Sequence, residues 1–278
     1  MKKISLRHYT QLIAAVLYNC NFRGFADGTI YSGASKGICV PGLNCYSCPG
    51  AMFACPLGSF QAALRASKYR LPYYMLGTLL LFGLLFGRLI CSFLCPFGLI
   101  QELINKIPTP KIKKSPVTRA LSKLKYLILI VFVAAIPLIK DMPGFCKYIC
   151  PAGTLEGGIP LLIRNESLRQ MAGFLFSWKV LFLIAVLVLC VFCYRAFCRF
   201  LCPLGAIYSF FNPVSFFGIK VDDHKCTGCG ACVRACKMDV NKVCDGECIQ
   251  CGECIKVCPV KAIAFGYKGP GSEKLKNE

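Results

Sequence analysis

Histidine is nearly absent from this chain: His8 and His224 are the only two in 278 residues. They offer no facing pair, which argues against a membrane haem held between two imidazoles. Acidic side chains are also scarce, 13 against 33 basic ones. No nucleophile with an adjacent base and no acid–base pair can be read. That points away from a stand-alone enzyme. The first apolar segment follows Lys2 and Lys3 as a signal peptide would, but no small-residue cleavage site closes it. Asn19, Cys20 and Asn21 stand there instead, so a retained helix is expected.

Apolar residues and cysteine dominate what is present. Hydrophobic residues make up 56% of the chain, mean hydropathy is +0.57, and there are 22 cysteines. Secreted disulfide scaffolds are short and poor in apolar runs, so this combination favours a membrane protein whose cysteines hold metal. The formal charge of +20 overstates the basic excess. A four-thiolate [4Fe–4S] cluster carries about −2, so four clusters would remove about 8 units. The remaining basic residues flank apolar segments, where they act as orientation signals rather than a nucleic-acid surface. No nucleic-acid partner is expected.

Four apolar segments run over about Leu6–Phe22, Leu71–Ile90, Tyr126–Ile139 and Phe174–Phe197. The second and fourth meet the length of about 20 residues that a bilayer crossing needs; the first and third are short. Four crossings are expected. Lys106, Lys111, Lys113, Lys114, Arg119, Lys123 and Lys125 mark the loop between the second and third as cytoplasmic. Both termini then face the cytoplasm, although Arg23, Arg65, Lys68 and Arg70 on the far side weaken the contrast. The expected fold is a membrane α-helical domain of two pseudo-repeated halves, residues 1–217. A small α+β ferredoxin domain with two [4Fe–4S] clusters follows at 218–268, then a solvated tail at 269–278. The expected location is a prokaryotic cytoplasmic membrane, with the lipid bilayer as one partner.

The last domain carries the most specific motif. Cys226, Cys229, Cys232 and Cys236 read C-x2-C-x2-C-x3-C, and Cys248, Cys251, Cys254 and Cys258 repeat it before Pro259. In this two-cluster pattern the fourth cysteine of each run ligates the other cluster. One set is then Cys226, Cys229, Cys232 and Cys258; the other is Cys248, Cys251, Cys254 and Cys236. Lys237 stands where proline usually follows the first run, a change of local turn rather than of ligand number.

A second repeat lies in the membrane domain. Arg88–Gly98 reads R-L-I-C-S-F-L-C-P-F-G and Arg195–Gly205 reads R-A-F-C-R-F-L-C-P-L-G. Each copy supplies two thiolates and a cubane takes four, so Cys91, Cys95, Cys198 and Cys202 are expected to share one inner, cytoplasmic-side cluster. On the opposite side Cys146 and Cys150 lie in C-K-Y-I-C-P-A-G, and Cys55-Pro-Leu-Gly matches Cys150-Pro-Ala-Gly. The residue four before Cys55 is Ala51, so the remaining thiol of an outer cluster comes from Cys45 or Cys48. Five candidates serve four positions. Cys190 and Cys193 are read as buried core thiols; Cys20, Cys39 and Cys244 have no assigned role.

With both C-x3-C-P motifs and the terminal ferredoxin run, the chain resembles the membrane-bound polyferredoxins related to NapH, NosR and CcoG. The resemblance implies membrane electron transfer through [4Fe–4S] clusters in service of respiratory reductases. For the CcoG type it implies copper reduction during oxidase assembly. The Cys45/Cys48/Cys55 and Cys146/Cys150 sets depart from the NapH pattern and suggest a route across the membrane. The expected function is a relay between a cytoplasmic redox partner and a membrane or outer-face partner. The alternative is a copper-reducing assembly factor, which a Met- or His-rich outer region would favour; that region has few such residues.

Overall fold

In the computed structural model, residues 6–66, 72–112 and 114–267 are described. Lys2, Lys3, Lys68, Arg70, Leu71, Lys113 and the expected tail at 269–278 lie outside them. The described chain is mostly helical, with one two-stranded sheet near its end.

Four helices begin the same way. Cys55, Cys95, Cys150 and Cys202 each precede a proline that occupies the first helical position, where its missing N–H is no loss. Cysteine takes the place of an N-cap: the Gly205 N–H points at Cys202 Sγ (3.4 Å) and the Gly153 N–H at Cys150 Sγ (3.3 Å). A helix N-terminus aimed at sulfur favours the thiolate. The C-P-x-G spacing is thus a local device that folds a helix onto its own cysteine.

The apolar segments differ from expectation in length. The second gives only the 14-residue helix Tyr73–Phe86. It stops because Gly87 turns into a positive-φ conformation (φ 53°), after which Leu89–Phe93 starts as a separate short helix. The third is longer than its apolar run. Ser115 caps a helix with Pro116 at its first position, and the chain stays helical over Pro116–Lys140. Leu129–Ala135 within it is wound as π-helix. Pro116–Lys140 and Phe174–Phe192, of 25 and 19 residues, are the described helices long and apolar enough to cross a membrane.

The core joins both halves of the chain. Leu43, Ile90, Phe97, Phe145, Phe197 and Tyr208 are all buried in one cluster. Phe97 and Phe197, one from each repeat, meet edge to face at 5.2 Å. The ferredoxin part closes with β1 (Phe217–Val221) antiparallel to β2 (Ile263–Tyr267), in the register Phe217 to Tyr267 and Val221 to Ile263. It is docked rather than tethered. Asn212 Nδ2 donates to the carbonyls of Asp245 (2.7 Å) and Cys248 (2.9 Å), while its Oδ1 accepts from the Arg88 N–H (3.1 Å). Arg199 pairs with Asp239, both buried. Lys114, from the basic loop, donates to the Val233 carbonyl at 2.6 Å.

Candidate iron–sulfur sites

The two R-x-x-C-x-x-x-C-P-x-G copies face each other and exchange their arginines. Arg195 Nη1 of the second copy donates to the Cys91 carbonyl (2.6 Å), and Arg88 Nη2 of the first donates to the Cys198 carbonyl (3.3 Å). The glycine of each motif makes room for the exchange. A Cβ on Gly98 would stand 3.0 Å from the Cys91 carbonyl oxygen and 3.3 Å from the Arg195 guanidinium; one on Gly205 would stand 3.6 Å from Arg88 Nη2. The arginine, the first cysteine and the glycine of each repeat therefore have a task in this pairing.

Cys91, Cys95, Cys198 and Cys202 line one small cavity under Tyr208. All four are buried. Burial pushes the Cys95 thiol up to about 12 and Cys202 well above its usual range. Thiols so placed ionise readily only against a cation, which cluster iron would supply. Among the described residues, no three Cys, His, Asp or Glu side chains converge closely enough for a single metal ion. A cubane is a larger body that holds its thiolates further apart, and a four-sulfur donor set with no nitrogen or carboxylate suits it.

Gln101, six residues after Cys95, donates from Nε2 to Cys198 Sγ (3.1 Å). Its Oε1 accepts from the Phe197 and Cys198 N–H groups (3.1 and 3.4 Å). Gln61, six residues after Cys55, does the same elsewhere: Nε2 to Cys146 Sγ (3.3 Å), Oε1 from the Phe145 N–H (3.0 Å). Neither glutamine is a metal ligand by type, so cysteine spacing does not single them out, although C-P-L-G-S-F-Q and C-P-F-G-L-I-Q share the offset.

A second thiol group forms where Gln61 points. Cys45, Cys55, Cys146 and Cys150 lie close enough to interact electrostatically. A Cβ on Gly58 would stand 3.8 Å from Cys146 Sγ, and one on Gly153 would be 3.6 Å from Cys150 Sγ and 3.7 Å from Cys45 Sγ. The Cys48 thiol faces the Gly50 and Ala51 amides, and it shares Glu156 and Lys36 with Cys45. Of the five candidates, Cys45, Cys55, Cys146 and Cys150 are the ones that interact with one another. Glu156, in the π-helix Gly153–Gly158, accepts from the Cys45 N–H at 2.8 Å; burial pushes its carboxyl up to about 7.

In the ferredoxin part Cys236, Cys248, Cys251 and Cys254 open onto a common cavity, together with Cys232. Cys226 and Cys229 are exposed. The Ala262 N–H points at Cys258 Sγ (3.3 Å). Cys190 and Cys193 are fully buried, and Cys193 Sγ accepts from Arg199 Nη1 at 3.4 Å.

A 4Fe-4S binding domain family matches residues 71–115, 125–165 and 174–221, and a second 4Fe-4S binding domain family matches 219–240 and 245–264. Among similar proteins, "Uncharacterized protein MJ0749" of Methanocaldococcus jannaschii is 30% identical over 161 residues, 55% of this chain and 53% of its own length. Regulatory protein NosR of Pseudomonas aeruginosa is 28% identical over 162 residues, 56% of this chain and 21% of its own. Methylamine utilization ferredoxin-type protein MauN of Paracoccus denitrificans is 27% identical over 164 residues, 56% of this chain and 52% of its own. The chain thus spans about half the length of these relatives, or less. No solved structure matches it. The duplicated motif that sets thiols in facing pairs falls within the matched regions, and the chain carries 4Fe-4S binding domains of both families.

Proposed function

We propose that the chain is a membrane-bound relay, carrying electrons between a cytoplasmic redox protein and a partner in the membrane or at its outer face. One observation carries this reading: the cysteines of the two repeats line one buried cavity, and the arginine that joins the repeats also holds the ferredoxin. Arg88 Nη1 donates to the Gly246 carbonyl (2.9 Å) and to Glu247 (3.1 Å), next to Cys248. Bound [4Fe–4S] clusters would supply one-electron redox chemistry without proton or atom transfer. The protein's part is to fix the thiols, exclude water and hold the stations close. We assign Cys226, Cys229, Cys232 and Cys258, and Cys248, Cys251, Cys254 and Cys236, to the ferredoxin. Cys91, Cys95, Cys198 and Cys202 form the inner site; Cys45, Cys55, Cys146 and Cys150 form the outer one.

The bilayer setting is supported by where apolar side chains point. In Leu6–Tyr18 the buried residues are Arg7, Gln11 and Ala14, while Leu12, Ile13 and Leu17 face outward. That is the reverse of a soluble helix and suits one whose outer face meets lipid. Leu181, Ile184 and Val188 of Phe174–Phe192 are likewise exposed. The Leu6–Tyr18 and Tyr73–Phe86 helices would complete a four-helix domain of residues 1–217, with both termini in the cytoplasm and the ferredoxin at 218–268 beside the basic loop.

Anaerobic purification, an iron count and an EPR titration test the relay. Four sites predict about sixteen irons per chain. Cys95→Ser and Cys150→Ser should each remove one cluster and leave the others. About eight irons, unchanged in both variants, would confine iron to the ferredoxin and defeat the reading.

A further inference from the structure

A loop is normally a surface feature, because its backbone must find hydrogen bonds in water. Cys39–Asn44 is buried throughout. The Val40 N–H donates to the Ala54 carbonyl (3.1 Å), and the Tyr208 hydroxyl donates to the Pro41 carbonyl (2.9 Å). Asn19 Nδ2 donates to Asn44 Oδ1 at 2.9 Å. Ordering and burying these residues is costly, and the loop's two ends show what it connects.

At one end Pro41, Gly42 and Leu43 form a wall of the cavity lined by Cys91, Cys95, Cys198 and Cys202. The approach is close enough to need glycine: a Cβ on Gly42 would stand 3.1 Å from the Leu94 carbonyl oxygen and 3.2 Å from Cys95 Cα. At the other end Cys45 belongs to the second thiol group, 3.7 Å from where a Gly153 Cβ would be. Between them, neighbouring amides face opposite ways. The Leu43 N–H faces the Cys95 thiol, and the Asn44 N–H faces the Cys55 thiol. Three residue steps take the chain from Gly42 to Cys45, a span of at most about 11 Å even when extended.

We infer that the buried segment Gly42–Cys45 is the electron bridge between the two membrane-domain sites, which stand one short step apart rather than at opposite faces of the bilayer. This rests on the relay reading above. One electron leaves the Cys91/Cys95/Cys198/Cys202 site, which is oxidised by one. It arrives at the Cys45/Cys55/Cys146/Cys150 site, which is reduced by one; no bond forms or breaks and no proton moves. The electron originates with a one-electron donor protein serving the ferredoxin. Tunnelling falls off steeply with distance and is faster through bonds than through space. A peptide whose consecutive N–H groups face a thiol of each site shortens the gap and supplies the bonded path. Crossing a hydrocarbon core of about 30 Å then needs no single long step between these two sites.

The test uses the full chain, purified anaerobically with its clusters and reduced with dithionite. Two reduced clusters this close split and broaden each other's EPR signals. The inner-site signal should therefore carry a splitting in the wild-type chain that is lost in Cys150→Ser, while the total spin integration falls by the one outer cluster. The ferredoxin clusters are common to both samples and cancel in the comparison. An inner signal identical in the two, with iron counts that show the outer cluster in the wild type alone, overturns the bridge and leaves the relay standing. A wild-type count lacking the outer iron overturns both. Gly42→Ala adds a kinetic readout. In protein reconstituted to the wild-type iron count it should slow electron transfer between the sites after flash reduction; an unchanged rate sinks the bridging role of the loop.

Discussion

Gln101 and Gln61 carry no charge, yet each donates to the thiol of a cysteine from the opposite half of the chain and accepts from the amide of the residue before that cysteine. Gln101→Leu would strand the buried Phe197 and Cys198 amides. The expected cost is about 1–3 kcal/mol, with early loss of the inner-site iron. Thermal unfolding and iron release under mild chelation check this, and Gln101→Glu should restore the amide bonds only in part. Glu102, next in sequence, is held by Arg7 (2.7 and 2.8 Å), Arg195 (2.8 Å), Tyr194 (2.5 Å) and His8 (2.9 Å). Burial alone would raise its pKa, but Arg195 and Arg7 outweigh burial and bring it down to about 2. A carboxylate depressed in the folded state contributes stability that is present above its unfolded pKa and lost as pH falls toward the folded one. Between about pH 4.5 and 2 the chain should lose on the order of 2–3 kcal/mol through this group. A Glu102→Gln variant, less stable at neutral pH, should show a flatter acid profile in thermal melts; an equally steep one would assign the loss elsewhere.

The Cys-Pro helix starts were legible at the scale of elements, because proline at the first position and cysteine before it form a local rule. Helix lengths were legible only in part. The Tyr73–Phe86 helix is cut short at Gly87, where the chain must turn for Arg88 to reach the second repeat and Glu247. No apolar pattern announces that demand. The Pro116–Lys140 helix extends beyond its apolar run because Lys125, a residue hydropathy counts as polar, is itself buried against Glu247 (2.6 Å). The glycines of the repeat are tested at this scale. Gly98→Val should push the Pro96–Ile104 helix off Arg195 and the Cys91 carbonyl, and lower the iron content by one cluster while the ferredoxin signals persist. Normal iron content in that variant would show that the close approach is dispensable.

For the whole molecule, the ferredoxin's attachment depends on a buried charge cluster. Arg88 and Lys125, both with fully buried side chains, share the carboxylate of Glu247. Glu247→Gln would leave two uncompensated cations, at an expected cost of about 3–5 kcal/mol. The segment near Asn212–Phe217 should then become sensitive to protease. Replacing all three with apolar residues of similar volume should recover most of the stability, because the desolvation penalty leaves with the charges.

The sequence by itself determined the donor chemistry. Cysteine spacing, the proline after each last cysteine and the repeated arginine and glycine are short-range patterns, readable because a helix start and a metal turn are local. It also limited the outer thiols to five candidates. Only the tertiary structure set Cys45 beside Cys150, found the two glutamines and exchanged the arginines between repeats. It also ran the Cys39–Asn44 loop between the two thiol groups. Those are contacts between residues far apart in the chain, set by how the halves pack. The repeat states what each half offers; the pairing of the halves states where it goes.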